Sequence, residues 1–130
     1  MVSRNELKSY LDELLLQPCK CEDSSNNGLQ VEGAEEVYRV VLGVDACSAL
    51  FAEAVNHDAD FIFVHHGLSW RDSFKYLTGM TARRLRMLFQ NNISLYAAHL
   101  PLDQHPGVGH NAVIAARLGI IDPEPFFIYG

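Results

Sequence analysis

The stretch Phe61-Ile62-Phe63-Val64-His65-His66-Gly67 constrains this chain more than any other. Four bulky apolar residues in a row, with no polar alternation, predict a strand covered on both faces, as in parallel sheets packed between helices. Gly67 ends the run, since glycine turns where a side chain would strain the backbone. The two imidazoles therefore fall at the carboxyl end of a central strand. In open α/β sheets that is the edge where ligands bind.

The flanking sequence supplies the helices and further strands such a sheet needs. Ser3-Arg4-Asn5-Glu6 reads as a capping box, and Leu7, Tyr10, Leu11, Leu14 and Leu15 follow at helical spacing. Pro18 stops that helix, and residues 21–28, rich in Asp, Ser and Asn, read as a loop. A short extended piece is expected at Leu29-Gln30-Val31 and a strand over 37–44, with Asp45 directly after it. A helix is expected over 48–57, with Leu50, Phe51, Ala54 and Val55 turned inward. Residues 69–79, with Trp70, Phe74 and Tyr76, form an irregular segment able to wall a site. Thr81 is the expected cap of the next helix, which carries Leu85, Leu88 and Phe89. A strand over 93–98, a last helix over 111–118 and a strand over 126–129 complete the chain. The order predicts one α/β domain, a mostly parallel sheet flanked by helices with right-handed crossovers.

Composition narrows the function classes. The chain of 130 residues fits one domain, and 48% hydrophobic residues exclude a disordered chain. No apolar run approaches the ~18 residues of a membrane span. The N-terminus lacks the apolar core of a signal peptide, so a cytoplasmic location is expected. Net charge is −6 and the ten Lys and Arg residues are scattered, which argues against nucleic acid as main partner. Three cysteines, an odd number, argue against a disulfide framework. Cys19 and Cys21 are expected as reduced thiols in a loop, because no second pair completes a zinc site.

Three successive strands end in ligating residue types: Asp45, then His65-His66, then His99 and Asp103. In a parallel sheet these ends share one rim, and imidazole with carboxylate is the donor set of zinc, iron or manganese. Neighbours on a strand point to opposite faces, so His65 and His66 are expected to serve two different ions, or one to bind and the other to orient. Asp103 can bridge two ions or finish the shell of one. A two-metal site activates water and steadies both oxygens of a displacement, which suits hydrolysis of a nucleotide-like or cyclic substrate. The remaining candidates have simpler readings. Asp45 alone reads as a helix cap, His57 and His110 as satisfied packing residues, and His105 as a loop residue. No G-x-S-x-G and no phosphate-binding glycine loop is present.

Three segments resemble one family. Asn27-Gly28-Leu29-Gln30-Val31, Val64-His65-His66-Gly67-Leu68-Ser69-Trp70 and Tyr96-Ala97-Ala98-His99-Leu100-Pro101-Leu102-Asp103 are similar to signatures of the Nif-three-like family, whose members are often called GTP cyclohydrolase I type 2 homologs. The resemblance implies a dinuclear centre with two divalent ions, His65 and His66 each toward one ion, Asp103 as a ligand and His99 near the metals, as a further ligand or as a proton donor assisting catalysis. It also implies a homo-oligomer, a toroidal hexamer. Residues 1–130 then correspond to the first lobe of such a protein, the second lobe being absent. That second lobe usually supplies an H-x-x-x-E motif, which nothing after Asp103 offers. The rival expectation is a non-catalytic metal-binding or interaction module.

Overall fold

The computed structural model describes residues 1–19 and 21–124. The strand expected over 126–129 lies outside them. Strand β1 (Val2–Ser3) feeds helix α1 (Arg4–Leu11) through the capping box: Ser3 Oγ accepts from the Glu6 amide at 3.1 Å, and Glu6 Oε2 accepts from the Ser3 amide at 3.0 Å. Beyond Leu11 the helix widens into a π-helical stretch, Asp12–Leu16, closed by the Gln17 amide on Asp12 O at 2.9 Å.

The main sheet has four strands, which lie side by side in the order β2 (Gly28–Val31), β6 (Ser94–Ala97), β5 (Phe61–His66) and β4 (Val40–Asp45). The last three are parallel, and β2 joins β6 antiparallel. A separate ribbon pairs β1 with β3 (Glu36–Val37). The run at Phe61 is thus an inner strand, as its uninterrupted apolar character requires. Helices α2 (Ser48–Asn56) and α3 (Gly79–Gln90) cover one face, packing Phe51, Ala54 and Leu88 on Ile62, Val64 and Leu95. On the other face Leu7, Leu11 and Leu15 from the first helix meet Phe61, Phe63 and Tyr96. Each large apolar side chain buried in these layers contributes about 1.5–3 kcal/mol.

Three local expectations are corrected, and one short helix is added. Helix α3 begins at Gly79 with Thr78, not Thr81, at the cap position, because Gly79 with its φ of +56° makes the turn into the helix. A four-residue helix α4 (Leu100–Asp103), too short to show a period, follows β6 with Pro101 in its first turn. Helix α5 (His110–Arg117) begins one residue before the expected start. Cys19 and Cys21 are paired through their sulfurs, not separate thiols; an odd cysteine count leaves room for one local bridge.

Candidate metal centre

Register sets the site. Asp45 pairs with His66 across β4 and β5, and Val64 pairs with Ala97 across β5 and β6. β4 and β5 end together at the Asp45–His66 pair and β6 ends two residues earlier in register, so the residues after Ala97 lie on the same rim as His65 and His66. His65 and His66 sit there with ring centroids 4.5 Å apart, and His99 lies 4.9 Å from His65 and 5.4 Å from His66. At the end of the strand the two adjacent rings come together, although their backbone positions face opposite sides.

All three histidines are held the same way. His65 Nδ1 donates to the Ala98 carbonyl at 3.1 Å, His66 Nδ1 to Asp45 Oδ1 at 2.6 Å and His99 Nδ1 to Asp23 Oδ1 at 2.9 Å. Each partner is an acceptor, so Nδ1 carries the proton and Nε2 keeps its lone pair. This is the arrangement that orients metal-bound imidazoles. His65, His66 and His99 each offer a nitrogen within 4.8 Å of the others, and His65, Asp103 and His110 form a second such group. Burial lowers the pKa of His65, outweighing the Ala98 carbonyl and the Asp103 carboxylate, which pull the other way.

Asp103 Oδ2 stands 3.5 Å from His65 Nε2. That is long for a hydrogen bond, yet close to the ~3.4 Å edge between two ligands held ~2.1 Å from one tetrahedral ion. The donor set therefore fits a divalent transition ion.

The loops that hold these groups explain the quoted signatures. Asn27 Oδ1 accepts from the His99 amide at 2.7 Å. Gln30 Oε1 accepts from the Leu68 and Ser69 amides at 2.8 and 3.0 Å, fixing the turn after the histidines. A side chain at Gly67 would strike the Ala97 Cβ at 2.7 Å and displace the Gln30 amide, 2.5 Å away, from the turn it fixes, which favours glycine there. Trp70 donates from Nε1 to the Gly67 carbonyl at 2.9 Å and sets its ring edge-on to His99, 4.9 Å between centroids.

The sequence places His65, His66, His99 and Asp103 at the rim, and the structure brings them together. Asp45 does not cap a helix; Cys47 takes the cap position of α2 while Asp45 holds His66. His110 is not a packing residue: it stands at the rim, half exposed, with Nδ1 2.8 Å from Asp103 Oδ1. Asp23 reads in the sequence only as part of a polar loop. In the structure it is nearly buried and accepts from Asn27, His99 and the Ser25 and Leu100 amides.

Comparison with known proteins gives the family of the chain. The family model Duf34/NIF3 (NGG1p interacting factor 3) matches residues 2–129. A relative from Vibrio cholerae called GTP cyclohydrolase 1 type 2 homolog is 49% identical over 115 residues, covering 88% of this chain and 45% of the relative. One of the same name from Pyrococcus abyssi is 44% identical over 128 residues, covering 98% and 50%. Among solved structures, TTHA1606 from Thermus thermophilus matches with a TM-score of 0.90 at 48% identity, covering 96% of this chain and 51% of that one. Reduced HcgD from Methanocaldococcus jannaschii matches with a TM-score of 0.84 at 26% identity, covering 97% and 50%. The chain spans about half the length of the curated relatives it matches. With the family model running from the first helix past the histidine rim to residue 129, the chain belongs to the Duf34/NIF3 family.

Proposed function

We propose that this chain binds divalent metal at the histidine rim and acts as a metal-dependent hydrolase on a nucleotide-like substrate. The observation that carries the reading is the set of three imidazoles whose Nδ1 atoms are all tied to acceptors, leaving three Nε2 lone pairs beside Asp103. The names of the Vibrio cholerae and Pyrococcus abyssi relatives point to the same class of chemistry.

His65 has one free nitrogen and can hold one ion only. In the dinuclear form of the proposal His65 and Asp103 would hold one ion and His66 a second. Zinc, iron and manganese all suit these donors. A cation held there would supply Lewis acidity and lower the pKa of water at the site toward neutral. In this reading His99, backed by the Asp23 carboxylate, would take a proton at Nε2 from the attacking water and pass it to the leaving group. Trp70 forms one wall beside it. Among the described residues no helix is long and apolar enough to cross a membrane. We place the protein in the cytoplasm and expect further copies of the chain as partners.

The test is metal content and turnover together. Protein loaded with zinc, manganese or iron is expected to keep metal through desalting, and the His65→Ala, His66→Ala double variant to lose it. Turnover of GTP, followed by chromatography of the products, is expected only for the loaded protein. Metal retained equally by both proteins would refute the site. Metal bound through these histidines without turnover of GTP or simple phosphoesters would leave a non-catalytic metal-binding or interaction module.

A further inference from the structure

We infer that His110 is a direct metal ligand, so that His65, Asp103 and His110 make a three-donor cation site contained within residues 65–110. This rests on the metal-binding reading above and extends it to a residue that no sequence pattern singles out.

The start of α5 is built to bring His110 in. Gly109 precedes it, and a side chain there would fall on the carbonyl oxygens of Leu102 and His105. Only glycine lets the end of α4 and the start of α5 approach this closely. The Gly109 amide closes the turn on the His105 carbonyl at 3.0 Å, and Asn111 Nδ2 donates to the Asp103 carbonyl at 3.3 Å. His110 is thereby fixed against the carboxylate of Asp103, with its ring centroid 4.8 Å from that of His65 and nearly perpendicular to it, at 80°.

One ligand atom from each of His65, Asp103 and His110 lies within 4.8 Å of the other two, so an ion fits among them once the His110–Asp103 hydrogen bond is exchanged for coordination. His65 Nε2 to Asp103 Oδ2 is 3.5 Å, and His110 Nδ1 to Asp103 Oδ1 is 2.8 Å. Donors ~2.1 Å from a common ion stand about 3.0–3.4 Å apart in octahedral or tetrahedral shells, so the His65–Asp103 pair is close to ligand spacing and the His110–Asp103 pair has to open by a few tenths of an ångström. Two imidazoles and one carboxylate, with the remaining positions open to water, form a set suited to a borderline ion such as zinc. The His110 side chain is 48% exposed, so an ion can reach it from solvent.

The experiment is a titration of the full, nitrogen-15-labelled chain with zinc alone, read by long-range proton–nitrogen correlation of the imidazole rings. One nitrogen each of His65 and His110 is expected to shift at the same zinc equivalents. If His65 shifts while both His110 nitrogens stay in place, His110 only orients Asp103 and the inference is overturned. If none of His65, His66 and His99 responds, the metal-binding reading itself has failed, which is a different result. Affinity gives a second measure. Loss of an outer-shell partner costs roughly 10–100-fold in metal affinity. His110→Asn is expected to cost more than that upper figure, and His57→Asn, on the exposed end of α2, to change nothing. A smaller loss for His110→Asn would place it outside the ligand set.

Discussion

Asp23 shows how a single carboxylate can hold a site without facing solvent. Burial pushes its pKa up, but hydrogen bonds from Asn27, His99 and the Ser25 and Leu100 amides outweigh burial and hold it below its ordinary value. A carboxyl depressed in the folded state contributes stability above its unfolded pKa of about 3.9, and that contribution is lost as pH falls through the folded value. Asp23→Asn is therefore expected to cost about 1–3 kcal/mol near neutral pH. Below about pH 4 the gap to the parent should narrow, because the parent loses the same charge. Urea midpoints of both proteins across that range check this, and a gap independent of pH would show that the charge does not matter. The same residue marks where sequence reading stops. His65 and His66 are legible because the end of an apolar strand announces itself, and Asp103 because it closes a segment that resembles a family signature. Asp23 is not, since it meets His99 across 76 positions and a run of Asp, Ser and Asn looks alike whether it faces water or a site. His110 is hidden for a related reason: a single histidine at a helix start carries no pattern.

At the scale of elements, period decides what can be read. The strands β4, β5 and β6 and the helices α2 and α3 follow from apolar runs and spacing, and their parallel order follows from alternation. Four-residue α4 and the antiparallel direction of β2 do not, because short segments carry neither period nor orientation. β2 is held at its end by close backbone contact. Gly33 lies against the Asn92 and Ile93 backbone, its amide donates to the buried Ser94 hydroxyl at 2.9 Å, and the next amide, Ala34, donates to the Asn92 carbonyl at 2.7 Å. A methyl group at Gly33 would overlap that backbone, which cannot swing aside as a side chain would. Gly33→Ala is expected to cost at least the ~1–3 kcal/mol of an overpacked core position. Because β2 also carries Gln30, the variant should loosen the turn after His66. Hydrogen exchange at the Leu68 and Ser69 amides would report this, and unchanged exchange would separate the strand end from the site.

For the whole molecule, the sheet is covered unevenly. On the edge strand β4, Val41 and Gly43 face α2 and its Leu50, but Val40, Leu42 and Val44 alternate outward with 46%, 73% and 60% of their surface exposed. Among the described residues β4 pairs only with β5, so its other edge is unpaired as well. An apolar edge strand of this kind is a liability for a protein that stays alone in water. The continuous apolar run that fixes β5 at the centre of the sheet occurs again in β4, where among the described residues nothing covers the second face. This supports self-association, with a second copy of the chain as the occupant. Sedimentation of the full chain is expected to give a mass above the 14.6 kDa of one copy. Leu42→Lys, a charge on the most exposed residue of the strand, is expected to shift it toward one copy without loss of the fold, since Leu42 is not in the packed core. Zinc binding by that variant gives the independent reading, because His65, His66, His99 and Asp103 lie on β5 and on the segments after β5 and β6, while β4 contributes only Asp45, three residues from Leu42, as the acceptor that orients His66. A parent that sediments as a single copy at high concentration would remove the case for association and leave the metal site standing.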